Sequence, residues 1–184
     1  MELDWNVEIR SYQGAPRGGD MGLVIPLEDG ALAALVDATG HGLPAYAVAQ
    51  TVRKTLFDRT NFQPDVLLND LDVVLEGSIG AAISLARIYS DRIDFAGVGN
   101  VNAIIGGNQL LVRTGIVGQR MRTPHLTTAA FPEDTWFVMY TDGVARPRSI
   151  PAGNAATASR QLIENAGSDH DDAGVLMARW KRPI

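Results

Sequence analysis

The sequence predicts an α+β fold, with helices packed on antiparallel sheets. Two observations carry this. Strand-like blocks flank a pair of adjacent helical stretches, where a doubly wound parallel fold would alternate them. The later strand-like runs are joined by tight turns, the pattern of an antiparallel meander.

Leu3, Trp5, Val7 and Ile9 alternate with Asp4, Asn6, Glu8 and Arg10, which predicts a strand with one buried face. Leu23 to Leu27 and Ala31 to Val36 flank Glu28-Asp29-Gly30, a hairpin turn signal. Leu43 to Phe57 reads as a helix, with Pro44 in its first turn. Pro64 opens a second helix, whose stripe is Leu67, Leu71, Val74 and Leu75 and whose end is Gly77. Ala81 to Tyr89, Arg92 to Val98, Val101 to Ile105 and Gln109 to Val112 read as a meander of strands. Gly115 to Pro132 reads as an irregular connection, a candidate substrate-facing loop. Thr135 to Tyr140 is a strand that delivers Asp142. Asn154 to Asn165 is a helix ended by Gly167, and Ala173 to Trp180 is the last strand.

A chain of 184 residues fits one domain with a sizeable core of its own, and 46% apolar residues argue against disorder. The net charge of -5, with Arg and Lys scattered, repels a nucleic-acid backbone, so no nucleic-acid partner is expected. The same repulsion argues against anionic membranes. The absence of cysteine excludes disulfides, thiolate zinc sites and phosphatases that attack through a cysteine thiolate. Met1 to Trp5 has neither a basic nor an apolar segment of a signal peptide, and no apolar run approaches the ~20 residues of a membrane span, so the expected location is the cytoplasm.

Four acidic sites lie at strand ends or in turns: Asp20 after Gly18-Gly19, Asp37 before Ala38-Thr39-Gly40-His41-Gly42, Asp142 before Gly143, and the pair Asp171-Asp172. Taken singly, each is explained by a turn or a helix cap. Taken together they are costly, because carboxylates at buried strand ends lose hydration and repel one another. Hard divalent cations with oxygen ligands, magnesium or manganese, relieve both costs.

The order of these sites resembles the metal-dependent serine/threonine phosphatases of the protein phosphatase 2C superfamily. The nearer likeness is the bacterial branch typified by SpoIIE, RsbU and RsbX, and within it the RsbX-like members. The markers are Gly19-Asp20, Asp37-x-x-Gly40-His41-Gly42, Gly97-Val98-Gly99-Asn100, Tyr140-Thr141-Asp142-Gly143-Val144 and Asp171-Asp172. The resemblance implies two stacked antiparallel β-sheets flanked by helices, an α-β-β-α sandwich, with two Mn2+ or Mg2+ ions between the sheets. By motif position Asp37 bridges both ions, Asp142 and Asp171 hold one, and Asp20 and the backbone carbonyl of Ala38 hold the other. Such a centre hydrolyses a phosphate with a metal-activated water and no phospho-enzyme.

There are departures. Position 38 is usually glycine in the family, and a carbonyl ligand survives alanine there if φ stays negative. Asn100 stands where many relatives carry an aspartate associated with a third metal, and an amide brings no charge for it. Gly174 stands where Thr or Ser is common. His41 has two readings, a proton donor to the leaving oxygen or a packing and capping residue. Arg17 is a candidate phosphate ligand or an exposed loop arginine.

The implied substrates are phosphorylated STAS-domain proteins of a stressosome, as for RsbX, or a phosphorylated anti-anti-sigma factor, as for RsbU and SpoIIE. The reading of another class is a catalytically inactive scaffold of the same fold. His170-Asp171 as the dyad of an all-helical phosphohydrolase, and Asp70-Leu71-Asp72 as a dehalogenase-type nucleophile motif, conflict with the predicted elements around them.

Overall fold

The structure is a computed structural model, and it describes residues 2–11, 18–168 and 170–181. The elements run β1 (Glu2–Arg10), β2 (Asp20–Leu27), β3 (Gly30–Ala38), α1 (Gly42–Asp58), α2 (Pro64–Val74), β4 (Ala81–Ile88), β5 (Arg92–Val98), β6 (Asn102–Ile105), β7 (Asn108–Gln109), β8 (Gly115–Ile116), β9 (Arg120–Met121), β10 (Thr127–Ala130), β11 (Phe137–Tyr140), α3 (Ala155–Ala166) and β12 (Ala173–Lys181). Two five-stranded sheets form, ordered β1-β12-β11-β6-β7 and β10-β5-β4-β3-β2, and their pairs are antiparallel.

The layering follows from the two faces of each strand. In β3, Leu32, Ala34, Val36 and Ala38 join a buried cluster with Val48, Val52 and Leu56 of α1 and Leu67, Leu68 and Leu71 of α2. Ala31, Ala33 and Leu35 point the other way, into a core shared with Phe137, Met139, Leu176 and Ala178 of the facing sheet. Phe137 meets Phe95 and Phe131 edge to face, at centroid distances of 6.4 and 6.5 Å. The outer face of the first sheet packs on α3 through Val138, Tyr140, Val175, Ala158, Leu162 and Ile163. The result is helix, sheet, sheet, helix, the predicted α+β sandwich. Among the described residues no helix is long and apolar enough to cross a membrane.

Asp4 and Asn6, on the face of β1 expected to be polar, meet α3. Asp4 accepts from the Ala155 N–H at the helix start, and Asn6 donates to Ser159 Oγ at 2.8 Å. Asn154 caps the same helix, its Oδ1 accepting from Thr157 N at 2.9 Å.

Four expectations need correction. The predicted meander is broken after β5, because β5 lies in one sheet and β6 in the other. A period of two reports a strand's face and not its partner, and Gly99, at φ +103°, turns the chain across. The run from Gln109 to Val112 is a strand only as far as Gln109. The stretch from Gly115 to Pro132 is partly regular. β8 and β9 form a hairpin, and β10 pairs with β5 at the sheet edge, where Thr128 Oγ1 donates to Asp94 Oδ1 at 2.6 Å. Trp5, expected in the core, is 42% exposed.

Candidate metal centre

Both sheets contribute carboxylates to one end of their shared interface. Asp37 continues the inward row of Ala31, Ala33 and Leu35, and Asp20 stands directly across the ladder from it on β2. Like charges placed opposite one another destabilise a strand pair. From the facing sheet, Asp142 follows β11, while Asp171 and Asp172 precede β12. Asp37, Asp142, Asp171 and Asp172 line a cleft of about 1160 Å3, together with Thr39 to Gly42, Gly99, Asn100, Thr114 to Ile116 and His170. Asp20 lies behind this lining, and Thr141 Oγ1 donates to its Oδ2 at 3.0 Å.

The electrostatics match this crowding. Burial, then the charge of Asp37, pushes the Asp20 carboxyl up to about 8, against the opposing hydrogen bond from Thr141. Burial, then the charge of Asp142, pushes Asp37 up to about 7, against a hydrogen bond from Asn100. Asp171 and Asp172 add to the repulsion on both.

Small residues permit the crowding. A Cβ on Gly143 would lie 1.8 Å from the Asp172 carbonyl oxygen, so the loops bearing Asp142 and Asp171 meet only through glycine. A Cβ on Gly19 would lie 3.0 Å from the Ala38 carbonyl oxygen and 3.2 Å from Ala45 Cβ, so glycine eases a close approach there. A Cβ on Gly174 would lie 3.1 Å from Asp20 Oδ2 and 3.0 Å from Ile9 Cδ1. A side chain at position 174 would crowd Asp20. Thr141 Oγ1 donates to Asp20 and accepts from Gly174 N at 2.9 Å.

Asp172 accepts from the Gly19 N–H at 3.1 Å, while Asp171 Oδ1 accepts from the Asp172 N–H at 2.9 Å. The paired aspartates are therefore inequivalent. His41 is the N-cap residue of α1; it is exposed at the cleft edge and makes no side-chain capping bond. The capping alternative is thus set aside. Arg17 lies outside the described residues. Asp70 and Asp72 sit within α2, which removes the strand that a dehalogenase-type nucleophile needs.

Among the described residues no three His, Cys, Asp or Glu side chains already surround one point as a metal cage. The donor chemistry nevertheless fits divalent cations. The set is all oxygen, and two carboxyls are driven toward protonation by burial and by the charges beside them. In the sequence Thr141 and Asn100 stand only as members of the Tyr140 to Val144 and Gly97 to Asn100 markers, with no contact assigned to either; the Thr-Asp pair ending a buried strand was the available signal.

No protein-family model matches the sequence, and no curated protein matches it. Solved structures do. A chain described under "The bacterial stressosome: a modular system that has been adapted to control secondary messenger signaling" aligns with TM-score 0.89 at 23% identity, over 97% of this chain and 100% of its own. RsbX in complex with magnesium aligns with TM-score 0.83 at 17% identity, over 96% of this chain and 94% of its own. The catalytic domain of the serine/threonine protein phosphatase PstP, in complex with 2 manganese ions, aligns with TM-score 0.76 at 15% identity, over 98% and 99%. The chain has the fold of the metal-dependent serine/threonine phosphatases of the protein phosphatase 2C type.

Proposed function

We propose that this chain is a metal-dependent protein phosphatase that hydrolyses phosphoserine or phosphothreonine in another protein, as a single cytoplasmic catalytic domain. The observation that carries the reading is the meeting of Asp37 and Asp142, from opposite sheets, in one cleft of a phosphatase fold. Asp37 would be shared by two ions. Asp142 and Asp171 would hold one; Asp20 and the Ala38 carbonyl would hold the other. Bound Mn2+ or Mg2+ would offset the carboxylate repulsion and supply the Lewis acidity that phosphate-ester hydrolysis needs.

The chain's own groups supply the rest. The first N–H groups of α1 attract an anionic phosphate beside the cleft. His41, exposed at that edge, would give a proton to the departing serine oxygen. The test is p-nitrophenyl phosphate hydrolysis with and without manganese. Asp37→Ala and Asp142→Ala are expected to abolish metal-dependent turnover with the circular dichroism spectrum retained. Turnover retained in either variant overturns the reading, and a folded wild type with no turnover favours the inactive scaffold.

For the substrate, the likeness to RsbX and to the stressosome-related chain supports phosphorylated STAS-domain proteins of a stressosome-type partner switch. The alternative, a phosphorylated anti-anti-sigma factor, is separated by assaying both phosphoproteins side by side. Equal rates remove the preference.

A further inference from the structure

Asn100 sits between two of the proposed ligands and carries no charge. Its Nδ2 donates to Asp142 Oδ2 at 2.6 Å, and its amide also favours the charged form of Asp37. Asp37 and Asp142 come from different sheets. A primary amide is a neutral donor, so it serves Asp142 without adding to the repulsion among the carboxylates. Asp142 keeps its second oxygen for a cation.

The amide is held from behind. Gly99 precedes it at φ +103°, and a Cβ there would lie 2.4 Å from Ala82 Cβ, on the strand position paired with Asp37. The Gly99 N–H donates to the Arg113 carbonyl at 2.8 Å. The Asn100 carbonyl accepts from Asn102 Nδ2 at 2.8 Å, and Asn102 Oδ1 in turn accepts from Gln109 Nε2 at 3.3 Å. The crossing between the sheets thus ends on a fixed donor aimed at Asp142.

We propose that Asn100 is a positioning residue of the cation site, whose amide fixes the Asp142 carboxylate at the cleft beside Asp37 and so raises affinity for divalent cations. The inference rests on the phosphatase reading and names a residue that sets its metal affinity. Hydrogen-bond partners of metal ligands typically contribute ~10–100-fold in affinity.

The experiment is calorimetric titration of MnCl2 into the metal-free full chain, with melting temperature and circular dichroism recorded alongside. Asn100→Ala is expected to weaken Mn2+ binding ~10–100-fold while the metal-free melting temperature stays near wild type. Asn100→Ser keeps one donor on a shorter arm; it is expected to lose less and serves if the alanine variant does not fold. A metal-free melting temperature that drops while affinity stays within about twofold shows a merely structural role and overturns the proposal. A wild type that takes up no Mn2+ removes the cation site itself, and the phosphatase reading falls with the inference.

Discussion

Gly143 and Thr141, on either side of Asp142, work in opposite ways. Gly143 acts by having no side chain: Gly143→Ala would drive a methyl to 1.8 Å from the Asp172 carbonyl and part the two acidic loops. A shift of ~1 Å between reacting groups costs about 100-fold in rate, so that loss is expected in Mn2+-dependent kcat/KM, with the far-ultraviolet spectrum unchanged. Thr141 acts through its hydroxyl. Thr141→Val keeps the shape and strips the partner from Asp20 and from Gly174 N–H. The expected cost is about 1–3 kcal/mol by urea denaturation, the penalty of polar groups left unpaired in a partly buried site. The acidic residues were legible because each ends a strand or sits in a turn. The contacts of Thr141, Asn100 and Gly174 were not, because each is with a residue far away in the chain.

Most elements were readable because each strand and helix carries its own periodicity. The hairpin of β2 and β3 and the helices α1, α2 and α3 stand within a few residues of the predicted bounds. What failed was pairing. Nothing in Arg92 to Ile105 tells which sheet each strand joins, and β8, β9 and β10 are too short and too polar for a pattern. The docking of α3 on β1 was also hidden, since Asp4 reads as a solvent-facing strand residue. Burial raises the Asp4 carboxyl, but hydrogen bonds and charge from Lys181, the Ala155 N–H and Arg179 outweigh it and hold it below its ordinary 3.8. A depressed carboxyl stabilises the fold above its unfolded value, and that share is lost as pH falls through the folded value. Asp4→Asn is expected to lower stability at pH 7 by about 1–3 kcal/mol and to flatten the decline below about pH 4 in melts across pH.

At the scale of the molecule, the proposed carboxylate ligands divide evenly, Asp20 and Asp37 from one sheet and Asp142 and Asp171 beside strands of the other. Without cations the raised carboxyls work against the fold. Asp37, at about 7, and Asp20, at about 8, bind protons more tightly folded than unfolded, so stability falls as pH rises from about 4 toward 8. Saturating Mn2+ is expected to remove this decline and to raise stability by about 2.7 kcal/mol at a hundred times the dissociation constant, with chelation reversing both. Melting temperatures across pH with and without chelator check the pair; a flat metal-free profile contradicts the crowding described for Asp20 and Asp37.

The chain's passage from one layer to the other at Gly99 and Asn100 has a mechanical meaning. Ligands divided between two slabs make any ion they share a rivet, and sliding one slab over the other would open the rivet hole before it disturbed either slab's own ladder. Turnover at the proposed centre would then gauge the alignment between the halves.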